Sequence, residues 1–198
     1  MIRATATRML GAVVLATAGL VAATGSAAAD TSLNPPPLSW YTCQDTGSGT
    51  VCHGQMTFEH PGEFQGSCPQ GFDILSSAHS EETAARYYDR DGNLVQRVLH
   101  DVFPVGNPLN VVYNSKTGKS IPYTTDRTET DDLVVPGDFA SVTARFTGNI
   151  ITITVPDGGM LLHDVGLFTF APNDVIVEVH GPKMLWFGQT EKLCAALA

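Results

Sequence analysis

The stretch Ser141-Val142-Thr143-Ala144-Arg145-Phe146-Thr147, then Gly148-Asn149, then Ile150-Ile151-Thr152-Ile153-Thr154-Val155, decides the fold. Val142, Ala144 and Phe146 alternate with Ser141, Thr143, Arg145 and Thr147. Beyond Gly148-Asn149, Ile151, Ile153 and Val155 alternate with Thr152 and Thr154. A period of two with one apolar and one polar side is the pattern of an antiparallel sheet with one wet face. Gly148-Asn149 predicts a tight turn between two strands.

The same pattern extends in both directions. Val175, Val177 and Val179 oppose Glu178 and His180. Strand-like runs rich in Val, Ile, Thr, Tyr and Phe occupy residues 51–58, 72–78, 82–88, 94–103, 109–113, 121–130, 141–147, 150–155, 160–170 and 175–180. Turn chemistry separates many of them: Asp89-Arg90-Asp91-Gly92-Asn93, Asn114-Ser115-Lys116-Thr117-Gly118-Lys119, Pro136-Gly137-Asp138, Pro156-Asp157-Gly158-Gly159 and Pro172-Asn173-Asp174. Short connections imply antiparallel neighbours, because a parallel crossover needs a dozen or more residues. The fold class is all-β, and the run of consecutive strands favours an up-and-down β-barrel, with a β-sandwich as the alternative. One short C-terminal helix is expected over 190–198, capped by Thr190, with Leu193, Ala196 and Leu197 on one face around Cys194.

Residues 1–29 read as a secretory signal peptide: Arg3 and Arg8 without an acid, a short apolar centre, and Ala27-Ala28-Ala29 as a small-residue cleavage site. Removing 29 of the 198 residues leaves 169, enough for one domain with its own core. Residues 30–39, with Pro35-Pro36-Pro37, form an extended leader, and 40–198 form the β domain. Two of the eleven basic residues and none of the twenty acidic ones lie in the signal peptide, so the net charge goes from −9 to −11 on cleavage. That charge disfavours nucleic acid and anionic membrane surfaces as partners. The mature form is expected to be a secreted monomer that does not insert into a membrane.

Four cysteines in an exported chain predict two disulfides. Three pairings are possible. Cys43–Cys52 is favoured because the turn-rich bend between them brings its ends together cheaply, which leaves Cys68–Cys194. No metal site is expected, since Cys43 and Cys52 are too far apart for a zinc knuckle. Asp89-Arg90-Asp91-Gly92-Asn93 lacks the bidentate Glu of a calcium loop, Val98 standing in its place. In the acidic stretch Asp126, Glu129, Asp131, Asp132 and Asp138, alternation puts Asp126 and Thr128 on one face and Arg127 and Glu129 on the other, so the carboxylates do not converge and an acidic loop entering the Pro136-Gly137 turn is favoured over a calcium site.

Candidate acid–base residues come from a repeated tetrapeptide, Leu99-His100-Asp101-Val102 and Leu162-His163-Asp164-Val165. Adjacent residues of a strand point to opposite faces, so neither His can pair with its own Asp. His100, Asp101, His163 and Asp164 become useful only if the two copies lie on neighbouring strands. Hydrolase elbows, zinc helices and phosphate or dinucleotide loops are absent, so no cofactor is expected. Trp40-Tyr41 and Trp186-Phe187 are aromatic pairs at the two ends of the β region.

Five segments together resemble a family of small secreted actinobacterial proteins of unknown function. They are Arg86-Tyr87-Tyr88-Asp89-Arg90-Asp91-Gly92-Asn93-Leu94-Val95, Ser115-Lys116-Thr117-Gly118-Lys119-Ser120, Thr130-Asp131-Asp132-Leu133, Pro136-Gly137-Asp138 and Leu193-Cys194-Ala195-Ala196-Leu197. The resemblance implies secretion and a compact β fold and brings no activity, substrate or catalytic residue. The functional expectation is a non-catalytic binding module for a small apolar or amphipathic ligand. The alternatives are an extracellular protein working through its exterior and a barrel enzyme doing acid–base isomerisation or cyclisation.

Overall fold

The computed structural model describes residues 32–155, 159–172, 175–182 and 190–198. Among these, the strands are β1 (Tyr41–Asp45), β2 (Thr50–Ser67), β3 (Asp73–Tyr88), β4 (Leu94–Phe103), β5 (Val111–Asn114), β6 (Ser120–Leu133), β7 (Val142–Val155), β8 (Gly159–Ala171) and β9 (Val175–His180). A 3-10 turn (Phe139–Ser141) precedes β7, and one helix, α1 (Thr190–Leu197), follows the strands. All nine strands belong to one antiparallel sheet in the order β1-β2-β3-β4-β6-β7-β8-β9, with β5 pairing β3 and β6. The all-β meander and the terminal helix are therefore as the sequence predicts. The signal peptide, Pro156 to Gly158, Asn173-Asp174, Trp186-Phe187 and the side chain of Thr190 lie outside the described residues.

β4 and β5 share one position of the sheet. Val102 pairs Glu81 of β3, and Val111 pairs Ser77 of the same strand, so β5 continues the line of β4 after an excursion over 104–110. Asn110 holds the break closed. Its Oδ1 accepts from the backbone N–H of His79 (2.6 Å), its carbonyl from that of Tyr123 (3.0 Å), and its amide donates to the Pro104 carbonyl (3.1 Å). These bonds stand in for ladder bonds the excursion removes, which is what a buried backbone demands. The ring β3-β4-β6-β5 is thus an interruption within one sheet.

The Gly148-Asn149 turn is corrected by the structure. β7 runs straight through it as a bulge: Asp126 and Thr124 of β6 stand opposite Asn149 and Thr152. One extra residue re-phases the alternation, so Phe146 before it and Ile153 after it lie on the same face. Gly148 has φ +105°, and a Cβ there would lie 2.6 Å from the Asp126 carbonyl oxygen, so the close backbone approach requires glycine. The strand-like runs 72–78 and 82–88 likewise merge into one strand, β3, which starts at Asp73 and whose polar middle reads as a break in sequence. By contrast, Asp89 to Asn93 is the predicted turn. Gly92 has φ +81°, and Asp89 Oδ1 accepts from the N–H groups of Asp91 (3.0 Å) and Asn93 (2.8 Å).

α1 marks the inner face of the sheet. Leu193, Cys194 and Leu197 pack with Phe72, Ile74, Ala78, Val112, Ile121, Tyr123, Ile153 and Leu162, drawn from β3 through β8. Full burial of Leu193 and Leu197 contributes about 1.5–3 kcal/mol each. The disulfide Cys68–Cys194 fixes the helix beside the end of β2, and Cys43–Cys52 joins directly opposed residues of β1 and β2. Both pairings match the sequence expectation. At the other end of the face, Cys52, Tyr88, Leu94 and Leu133 form a second apolar cluster with Leu33 and Phe139. The leader is docked there: Asn34 bridges Asn93, and the Tyr88 hydroxyl donates to the Pro35 carbonyl at 2.9 Å.

Candidate functional site

Between the two apolar clusters the inner face is charged. Strand register builds it in three rows. Glu82, Asp101, Arg127, Gly148 and Gly166 stand opposite one another across β3, β4, β6, β7 and β8. The next row is Ala84, Leu99, Glu129, Phe146 and Phe168, and the third is Arg86, Arg97, Asp131, Ala144 and Phe170. Arg127 Nη2 donates to Asp101 Oδ2 (3.1 Å), while Arg97 Nε donates to Asp131 Oδ2 (2.7 Å) and its Nη2 to Glu129 Oε1 (3.2 Å). Each arginine of the ladder also lies over an aromatic ring: Arg86 over Tyr41 (4.9 Å), Arg97 over Phe139 (5.6 Å) and Arg127 over Phe146 (5.5 Å).

The ladder is only part-satisfied. Among the described residues, Arg86 Nε, Arg127 Nε, Asp101 Oδ1 and Asp131 Oδ1 are buried with no hydrogen-bond partner. Leaving such atoms unpaired costs about 1–3 kcal/mol each, so a purely structural ladder would be closed. Beside it lies a cavity of about 150 Å³ lined by Arg127, Glu129, Phe146, Ile150, Phe168 and Phe170. Gly148 and Gly166 bring no side chain to the row of Arg127. On the β1–β2 side the face carries a second aromatic strip. Trp40 stacks on Tyr41 (centroids 4.1 Å apart) and meets Phe58 edge-on at 6.5 Å. Gly54 admits the Trp40 ring, since a Cβ there would lie 2.4 Å from it.

Electrostatics single out Glu129. Burial, and then the neighbouring Asp131 charge, push its carboxyl up to about 7 against the attraction of Arg97 and Arg127. Burial also raises Asp101 and Glu82, the latter further through Asp101. In the window from the ordinary glutamate value of 4.5 up to about 7, the folded chain holds a proton on Glu129 that the unfolded chain has lost. Stability from this group is complete below that window and is lost as pH rises through it, by on the order of 3 kcal/mol. Thermal melts are expected to show Tm falling from pH 5 to pH 8, with Glu129→Gln flattening the slope. An unchanged slope in that variant would remove Glu129 as its source.

The repeated tetrapeptides fall on β4 and β8, with β6 and β7 between them. His100 and His163 lie on the outer face, Asp101 and Asp164 on the inner, so the two tetrapeptides do not bring their own His and Asp side chains to one face. His100 takes its carboxylate from another strand: Nε2 is 2.9 Å from Asp126 Oδ1, a pairing that strand register alone reveals. It also lines an open outer groove of about 530 Å³ with Thr42, His53, Gln55, Thr83, Ala85 and Val98. His163 Nδ1 is 2.8 Å from the Thr152 hydroxyl. Asp101 belongs to the ladder, and Asp164 is fully buried. Among the described residues no cluster of three or more His, Cys, Asp and Glu side chains is arranged to hold a metal, and no helix is long and apolar enough to cross a membrane. No family model matches the chain, and no curated protein or solved structure matches it.

Proposed function

We propose that this is a secreted, non-catalytic binding module that holds a small amphipathic ligand on the inner face of its sheet. The observation that carries the reading is the part-satisfied charged ladder beside a phenylalanine-lined cavity. Ligand sites combine an apolar lining with a few placed polar groups, and this face supplies both. A barrel-like curl of the sheet is part of the proposal. It is supported by the single apolar cluster that α1 forms with residues as far apart in the sheet order as Ile74 of β3 and Leu162 of β8. Secretion is supported by the two disulfides and by the signal-like N-terminus. The likeness to small secreted actinobacterial proteins agrees with it.

Fluorescence titration with the neutral amphiphile N-phenyl-1-naphthylamine tests the site. Saturable binding is expected, weakened at least tenfold by Phe170→Glu and unchanged by Ala85→Trp, which fills the outer groove. The opposite pattern would overturn the inner-face reading in favour of a protein working through its exterior, for which the outer groove is the specific observation.

A further inference from the structure

We infer that the inner-face cavity takes the head of an organic monocation, an amine or quaternary ammonium with an apolar body, seated between the phenylalanine rings and the Glu129 carboxylate. The inference rests on the proposed inner-face site and names its ligand class.

The ladder is one cation short. It sets Glu82, Asp101, Glu129 and Asp131 against Arg86, Arg97 and Arg127. Arg127 is committed to Asp101, and Arg97 is divided between Asp131 and Glu129. Arg86 lies over the Tyr41 ring and reaches the Pro36 carbonyl at 3.4 Å, with no carboxylate among its bonds. Glu129 is therefore the cavity's own carboxylate with only a shared partner. The remaining lining is the rings of Phe146, Phe168 and Phe170 together with Ile150. Aromatic faces carry negative potential, so rings with a carboxylate form a cation site, and a net charge of −9 attracts cations from a distance. An anionic head reaching the unpartnered Arg127 Nε–H would lie against the Glu129 carboxylate, which lines the same cavity. A void of about 150 Å³ suffices for a benzene-sized group, and hence for a compact ammonium head.

The groups facing Glu129 are Arg97 from β4, Arg127 and Asp131 on its own strand, and the phenylalanine rings of β7 and β8. A bound cation takes the place of the proton that Glu129 holds at low pH, so affinity rises with pH. With a carboxyl near 7, the ionised fraction grows about 30-fold from pH 5.5 to pH 8.

Displacement of N-phenyl-1-naphthylamine by three probes of similar shape tests this: benzyltrimethylammonium, its neutral isostere neopentylbenzene, and 3-phenylpropionate. The expected result is that the ammonium probe competes best, gains about 30-fold between pH 5.5 and pH 8, and loses that gain in Glu129→Gln. Retained naphthylamine binding shows that the variant is folded. Equal competition by neopentylbenzene, without pH dependence, overturns the cation inference and leaves the inner-face site standing. Preference for 3-phenylpropionate overturns it in favour of Arg127 as the selecting charge. Failure of all three probes, with naphthylamine still bound and still sensitive to Phe170→Glu, also overturns it. Loss of that sensitivity defeats the inner-face reading itself.

Discussion

Replacing both Cys68 and Cys194 with serine is expected to lower stability by about 5 kcal/mol in urea unfolding. The bridge spans 126 residues of sequence, so its removal frees nearly the whole β domain in the unfolded state. In the folded state it holds α1 against the apolar end of the inner face, where Leu193 and Leu197 are fully buried. Domains of this size carry about 5–15 kcal/mol in total, so the reduced form is left marginal. The Cys43–Cys52 bridge closes a separation of only 9 residues, and the same chain-entropy argument gives it about 3 kcal/mol. The difference between the two double serine variants is the informative quantity. Equal losses would mean that the long bridge is strained or that the unfolded chain is already ordered around it.

The second large effect concerns the ladder. Asp131→Ala removes the main partner of Arg97 and leaves a part-buried guanidinium with Glu129 as its remaining carboxylate. Breaking one side of a fully buried pair costs about 3–5 kcal/mol, and the part-exposure of Arg97 lowers the expected loss to about 2–3 kcal/mol. Replacing the set together, as Arg97→Met, Glu129→Leu and Asp131→Leu, removes the desolvation cost along with the attraction, and stability is expected to equal or exceed that of the native chain. The pair of results separates two roles. If the ladder existed to stabilise the fold, the triple replacement would be as damaging as Asp131→Ala. The predicted contrast means that the charges are kept for what they hold. Urea midpoints at one pH, with m-values compared to check two-state behaviour, decide between them.

What the sequence shows of this architecture follows from how local each signal is. Alternation in 142–146 and in 175–179 reports which side of a strand is apolar, and it also separates Asp126 and Thr128 from Arg127 and Glu129, as found. The turn at Asp89 to Asn93 is legible because its hydrogen bonds close within five residues. Gly148-Asn149 shows the limit. A bulge and a turn both shift the alternation by one residue and both use a glycine at positive φ; only the partner strands β6 and β8 distinguish them. The polar middle of β3 is similar. Ser80 falls in the break between the two strand-like runs but faces inward, because pairing with Phe58 of β2 keeps the chain extended. The site is less legible still. Arg97 meets Asp131 and Glu129 across 34 and 32 residues of sequence, and His100 meets Asp126 across 26. Those pairings are set by register over the whole meander, so the tetrapeptide repeat drew attention to His100 and Asp101 without indicating Arg97, Arg127 or Glu129.

The most direct measurement is native mass spectrometry of the protein recovered from its own culture medium, beside the Arg97→Met/Glu129→Leu/Asp131→Leu variant prepared in the same way. A reproducible added mass is expected on the native chain, released on denaturation and absent from the folded variant. A native chain at its bare polypeptide mass, or a variant retaining the same added mass, would contradict the inner-face reading.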